Sequence, residues 1–227
     1  MAASSFRIAG RGPFHATTVK QMKSKPSQRF TRQTADARRQ SLIAAAIRCL
    51  SRGGIGNFTV DHIAAEAGVS RGLINHHFEG IRDLLAAVYD SMTATMRYAG
   101  DASLTEEGSA EERLVTIIDL MLAPPIFSKS NLRTWLALWG EVAVNPRLKA
   151  AHRKSYRGYR QALAQAIDEI AKQRELTVDG RAFATVCIAL IDGLWIEWCL
   201  DSRVISRAVA RDVVYGVIEA SLGTLQR

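Results

Sequence analysis

Residues 59–85, TVDHIAAEAGVSRGLINHHFEGIRDLL, admit few folds. Thr59 stands where it can cap a short helix whose apolar face is Ile63, Ala64 and Ala67. Gly68 is free to take the left-handed conformation that ends a helix, and Val69 can plug the corner beneath it. Ser70 opens a second short helix over residues 71–78, and Leu84-Leu85 lie in a third. Two short helices joined by so tight a glycine turn form a helix-turn-helix, whose second helix can enter a DNA major groove.

The rest of the chain reads as further helices. The first runs from about 34 to 52, with Ile43, Ile47 and Leu50 on one stripe and Gly53-Gly54 as the stop. The glycines at 53, 54 and 56 follow a helix rather than a strand, so they read as helix termination and not as a phosphate-cradling loop. A fourth helix spans about 80–99, with Leu84, Leu85, Val88, Met92 and Met96 at helical spacing; residues 100–108 read as an acidic loop. Ser109-Ala110-Glu111-Glu112 is a capping-box start, and that helix ends at Pro124-Pro125. Helices over 131–144, 146–174 (opened by Asn145-Pro146), 178–201 and 206–225 complete the chain. With no strand alternation and no internal repeat, the fold class is all-α with about nine helices. Residues 31–80 form an N-terminal three-helix helix-turn-helix domain, and 81–227 a helical body.

The net charge of +8 is concentrated in one place. Residues 1–39 hold nine of the 30 Lys and Arg but one of the 22 Asp and Glu, leaving 21 of each in residues 40–227. Residues 1–30 mix small, polar and basic residues with Gly10, Gly12, Pro13 and Pro26, and read as a disordered basic arm suited to non-specific phosphate contact. Their composition also fits an organellar transit peptide, and Met22 offers an alternative start. Cys49, Cys187 and Cys199 are an odd set without metal-like spacing, expected as buried free thiols in a reducing, cytoplasmic compartment. The most apolar segment, 182–200, contains Asp192 and Glu197. Each would cost about 2.5–3.5 kcal/mol at a bilayer centre, so a soluble helix and no membrane partner are expected. No P-loop, nucleophile elbow, zinc spacing or paired carboxylates occur, which argues against an enzyme or a cofactor.

In the second short helix, Arg71, Asn75, His76 and His77 are the polar side chains available to DNA, while Leu73, Ile74 and Phe78 should pack inward. Arg71 can reach a guanine edge or a phosphate, and Asn75 suits adenine. Gly72 would let the backbone approach a duplex closely. Thr59 and Ser70 either hold phosphates at helix N-termini or merely cap. Arg38 and Arg39, near the start of the first helix, could meet the DNA backbone. The histidines His62, His76 and His77 do not make a metal set, because adjacent helical residues point about 100° apart.

The run Thr59, Ile63-Ala64, Ala67-Gly68-Val69-Ser70, Gly72, His76, Phe78 and Leu84-Leu85 closely resembles the signature of TetR-type transcriptional regulators. The resemblance implies a homodimer bound to a double-stranded DNA operator, with the body as a ligand-binding and dimerisation domain. Two positions depart from the family pattern. His77 stands where a tyrosine is usual, and Ile81 where a lysine is usual; Arg82 could replace that lysine from the next position, aimed differently.

The segments Trp135-Leu136-Ala137-Leu138-Trp139 and Leu190-Ile191-Asp192-Gly193-Leu194-Trp195 are similar to those of the choline-responsive (BetI-type) subgroup. That likeness implies a quaternary ammonium effector. Trp135, Trp139, Trp195 and Trp198 could supply cation–π faces, and Asp119, Glu141, Asp192 or Glu197 the opposing charge. Tryptophans at this spacing also suit core or dimer contacts, and a body that binds a protein partner is the alternative function. The basic run Arg147, Lys149, Arg153, Lys154, Arg157 and Arg160, with Tyr156 and Tyr159 interposed, reads as a solvated helix face. Broad apolar faces on the last two helices (Val186, Leu190, Leu194; Ile205, Val209, Val213, Val217) mark them as the dimer contact.

Overall fold

The computed structural model describes residues 34–105 and 108–226; the arm read in residues 1–30 lies outside the described residues. Nine α-helices and one 3-10 turn occur among them: α1 (Ala35–Gly53), the turn (Gly54–Asn57), α2 (Val60–Ala67), α3 (Arg71–His77), α4 (Ile81–Thr105), α5 (Ala110–Leu122), α6 (Lys129–Val144), α7 (Pro146–Gln173), α8 (Gly180–Leu200) and α9 (Arg207–Leu222).

Short polar side chains start most of these helices. Thr34, Thr59, Ser128, Asp179 and Ser206 each accept a backbone N–H from the residue three positions on. At α5 the Ser109 hydroxyl accepts from Glu112 N at 3.1 Å while Glu112 Oε2 accepts from Ser109 N at 2.8 Å, completing the capping box. At α7, Asn145 Oδ1 accepts from Arg147 N at 3.0 Å and Leu148 N at 3.3 Å, with Pro146 in the first turn where its missing N–H costs nothing. The expected loop over 100–108 is corrected: α4 continues to Thr105. One glycine in a helix interior costs only about 1 kcal/mol, which good helix formers on both sides of Gly100 can absorb. The helix expected from 131 begins at Lys129, because Ser128 rather than Asn131 is the cap.

The head is built on Leu42, Ile43 and Leu50 of α1, Ile63 of α2, Ile74 of α3 and Leu84 of α4, all buried. In the body α4 and α8 both lie along α7, and α1 with the 3-10 turn rests on α6, joining head to body. Cys49 and Cys187 are buried, and burial pushes the Cys187 thiol up to about 12. Cys199 is only half-buried, which corrects the expectation for that thiol. Among the described helices α8 is long and apolar enough to cross a membrane, yet it buries Ala184, Cys187, Ile188, Ile191 and Trp195 against the body.

One arginine closes the end of the body away from the head. Arg174 Nη1 donates to Leu222 O at 2.6 Å, and its Nη2 to Thr224 O at 2.7 Å and to Glu111 Oε1 at 2.5 Å. It therefore satisfies carbonyls at the end of α9 while pinning α5. Arg174→Met, which keeps the apolar stem, is expected to lower unfolding free energy by about 2–3 kcal/mol, because charged hydrogen bonds are lost and carbonyls are left unpaired. Denaturant unfolding checks this; a change below 0.5 kcal/mol, about the level of an ordinary surface substitution, would dismiss the role.

Candidate nucleic-acid interface and an aromatic box in the body

At the turn between α2 and α3, Gly68 has φ 65° and ψ 36°, and its N–H reaches Ala65 O while Val69 N–H reaches Ala64 O. A Cβ is strained at that φ, so glycine is required there. The chain then leaves α2 at an angle that buries Ile74 and Phe78 of the following segment. Arg71, Gly72, Asn75 and His76 are exposed together, as residues i, i+1, i+4 and i+5 must be on one side of a helix. His77 is half-buried, its ring edge-on to His76 at 5.2 Å, and Leu73 is also half-buried rather than fully inward.

Arg71 Nε lies 3.0 Å from Asp61 Oδ1 of α2, both side chains largely exposed. An exposed pair contributes about 0–1 kcal/mol, so the guanidinium can exchange this partner for another anion. A Cβ on Gly72 would meet nothing closer than Ser70 Oγ at 3.9 Å, so the protein's own packing does not demand glycine there. Thr59 does cap, its hydroxyl accepting from His62 N at 3.2 Å. Ser70 occupies the N-cap of α3 with extended backbone, but its hydroxyl makes no capping hydrogen bond. Arg38 and Arg39 are half-buried, and the Arg39 guanidinium lies 4.7 Å over the Phe78 ring, tying α1 to the end of α3. Arg82 lies apart from this face. It lines a cleft with Glu141, Asn145 and Pro146 at the α6–α7 junction.

In the body, four helices bring aromatic rings and one carboxyl together. Tyr89 of α4 meets Trp135 of α6 edge-on at 5.8 Å, and Trp135 neighbours Trp139 at 5.9 Å. From α7, the His152 ring lies 4.1 Å from Tyr156, which meets Tyr159 at 6.4 Å. The Tyr89 hydroxyl and His152 Nδ1 share a hydrogen bond at 2.8 Å, and burial keeps the imidazole below its usual pKa, with Arg160 adding to the shift. Asp192 of α8 accepts a hydrogen bond from the Tyr156 hydroxyl, and that hydroxyl accepts in turn from the Trp139 indole. Burial pushes the Asp192 carboxyl up to about 7, the Tyr156 hydrogen bond offsetting part of the rise. The phenols of Tyr89, Tyr156 and Tyr159 are all raised, chiefly by burial, with Asp192 adding to each. Among the described residues the Tyr159 hydroxyl and the Trp195 indole nitrogen have no hydrogen-bond partner, although the two residues are 2% and 1% exposed. Unpaired buried polar atoms cost about 1–3 kcal/mol each.

Of the seven residues read as ligand-binding, Trp135, Trp139 and Asp192 belong to this assembly; Trp195 is buried on α8 with Phe127 edge-on at 6.2 Å. Asp119, Glu141 and Trp198 lie elsewhere, which corrects that reading. Asp119 is held by Arg211 at 2.9 and 3.1 Å and by the Tyr215 hydroxyl at 2.9 Å, a tie between α5 and α9. Glu141 lies in the cleft with Arg82. Trp198 stacks on Phe127 at 4.9 Å and already has Lys129 5.8 Å over its ring. Sequence reading missed Tyr89, His152, Tyr156 and Tyr159. The last three fall at i, i+4 and i+7 of α7, a stripe one residue out of phase with Arg153, Arg157 and Arg160. The basic stripe was legible, and its aromatic counterpart is what carries the box. Among the described residues no cluster of His, Cys, Asp and Glu could hold a metal ion.

Residues 42–88 match the profile of bacterial regulatory proteins of the tetR family, and residues 110–223 that of the C-terminal domain of BetI-type transcriptional repressors. The HTH-type transcriptional regulator BetI of Escherichia coli is 30% identical over 192 residues, covering 82% of this chain and 95% of that protein. A transcriptional regulator from Pseudomonas aeruginosa superposes with TM-score 0.73 at 32% identity, over 85% of this chain and 94% of that one. A transcriptional regulator from Saccharomonospora viridis, solved in complex with choline, superposes with TM-score 0.72 at 28% identity, over 83% of this chain and 98% of that one.

Proposed function

Because the chain belongs to the TetR family of transcriptional regulators, in its BetI-type branch, we propose that it is a dimeric repressor released from a palindromic operator by choline or a similar quaternary ammonium. The observation that carries the effector is the Asp192 carboxyl set among Tyr89, Trp139, Tyr156 and Tyr159. A quaternary ammonium has no N–H to donate, so it is held by ring faces and by one unsolvated negative charge. The choline bound by the Saccharomonospora viridis regulator supports the same class. A body that bound only a protein partner would leave the Tyr159 hydroxyl and the buried carboxyl without a use.

The head reads DNA through α3, with Arg71 and Asn75 on base edges, Gly72 admitting the duplex backbone, and His76, His77, Thr59, Ser70, Arg38 and Arg39 as the surrounding polar contacts. The two protomers meet through α8 and α9, which places two copies of α3 for two half-sites. Coupling runs through α6. Its Trp135 and Trp139 touch the box, while its Arg133, Leu136 and Ala137 line a gap against residues 50–55 at the end of α1. Choline acts to the extent that it binds one spacing of the heads better than the other.

The test is operator binding of the full chain with and without choline. Repression by this scheme requires a tight, salt-dependent complex that choline weakens at least tenfold. A complex indifferent to millimolar choline would overturn the effector assignment. Within that complex Arg71→Ala is expected to weaken binding by about 1–3 kcal/mol and to relax sequence preference at one position of each half-site. Unchanged affinity and preference would remove Arg71 from the reading set.

A further inference from the structure

The basic run on α7 does not simply face solvent. Arg153, Arg157, Arg160, Gln161, Ala164 and Asp168 line one wall of a groove of about 530 Å³, and Arg181 of α8 contributes from the neighbouring helix. Eight other arginines among the described residues form ion pairs with carboxylates. Among the described residues these four form none, and the one carboxylate in the groove already accepts Gly180 N at 2.9 Å. Four guanidinium groups beside a single acid leave the groove strongly positive, although residues 40–227 as a whole are balanced in charge.

We propose that this groove binds a small, multiply charged phosphate ester. Guanidinium forks match phosphate oxygens two at a time, and several of them around one hollow suit an anion of more than one charge. Along α7, Arg153 and Arg160 are separated by about 10 Å, enough for two or three linked phosphates. Beyond them Ala164 presents a small apolar floor and Gln161 an amide, which suit the organic part of such a ligand. The volume is that of a small-molecule site, for which about 300–1,000 Å³ is usual.

DNA is the other source of phosphate, and position argues against it. Arg147 at the start of α7 reaches Asp83 at the start of α4, next to the head. Arg157 and Arg160 are therefore about 15–20 Å further along α7, toward the end closed by Arg174. The groove is distinct from the aromatic box, because the arginines occupy a stripe about 100° round α7 from His152, Tyr156 and Tyr159.

The experiment is calorimetric titration of the full chain with tripolyphosphate at matched ionic strength, for wild type, R157A/R181A and Asp192→Asn. The basic residues 1–39 are common to all three and contribute equally. Wild type and Asp192→Asn are expected to bind one tripolyphosphate per protomer above that shared background. R157A/R181A should bind it at least about tenfold more weakly, the loss of two charged forks. Equal binding by the double variant would overturn the proposal. So would a double variant that is monomeric, since the groove would then be a contact between protomers. A double variant whose operator affinity falls and whose salt slope flattens without added polyphosphate would assign the groove to the DNA backbone and overturn it as well. Both substituted side chains are exposed, so the variant keeps its core.

Discussion

Asp192→Asn is expected to weaken choline binding by at least a hundredfold while preserving the fold. The amide keeps the shape of the carboxyl and can still accept the hydrogen bond from Tyr156, so packing is unchanged. What disappears is the negative charge, and removing one partner of an enclosed charge pair costs about 2–5 kcal/mol. The wild-type carboxyl sits near 7 because burial disfavours its charge. A bound cation would favour the charged form, so binding should expel a proton below pH 7. Choline affinity should then rise with pH from 5 to 7 and level off above, a gain of up to about a hundredfold. Protonation of His152 at the acid end adds a second positive charge near the box and acts in the same direction.

Stability of the unliganded protein runs the other way. Between the ordinary carboxylate range and 7, folded Asp192 holds its proton while the unfolded chain has released it. The folded state binds more protons there, so this residue makes stability fall as pH rises through that window. The asparagine variant should lose that slope and be more stable than wild type at pH 8. Calorimetric titration with choline at several pH values, with thermal melts of both proteins, reads all of this. Choline affinity equal in the two proteins, or flat from pH 5 to 8, would remove Asp192 as the counter-charge.

Val209→Glu with Val213→Glu should give a folded monomer and lower operator affinity by about a hundred- to a thousandfold, the advantage lost when two linked sites become one. Val186, Val209 and Val213 are 48%, 48% and 39% exposed on α8 and α9, a large apolar exposure for neighbouring helices. Gly216 and Ala220 continue the exposed side of α9 without bulk, so a second copy can approach closely. Two glutamates there would be desolvated against their own copies in a two-fold contact, which repels as well as exposes. Sedimentation and circular dichroism separate assembly from folding. A variant that remained dimeric would move the interface elsewhere.

Much of this was readable in the residues. The turn at Gly68 and the helix starts at Thr34, Ser109 and Asn145 follow from local backbone chemistry, which depends on a few neighbours and so survives in one dimension. The buried side of α3 follows from spacing alone. The end of α4 was misjudged because glycine and acidic residues lower helix propensity without forbidding it.

The residues proposed for the effector divide differently. Trp135, Trp139 and Asp192 could be named from their own segments, but Asp119 and Glu141 were equally plausible acids until the fold placed Asp119 against Arg211 and Glu141 beside Arg82. Tyr89, Tyr156 and Asp192 come from three helices, the first and last more than a hundred residues apart in the chain. The sequence by itself determined the all-helical class, the DNA-reading motif and its family. Only the tertiary structure decided which acid lies inside, which tyrosines surround it, and that four arginines from α7 and α8 share one groove. The reason is physical. Capping and periodicity act between residues within a turn or two of each other, whereas desolvation and ion pairing depend on which distant segments are brought within a few ångströms.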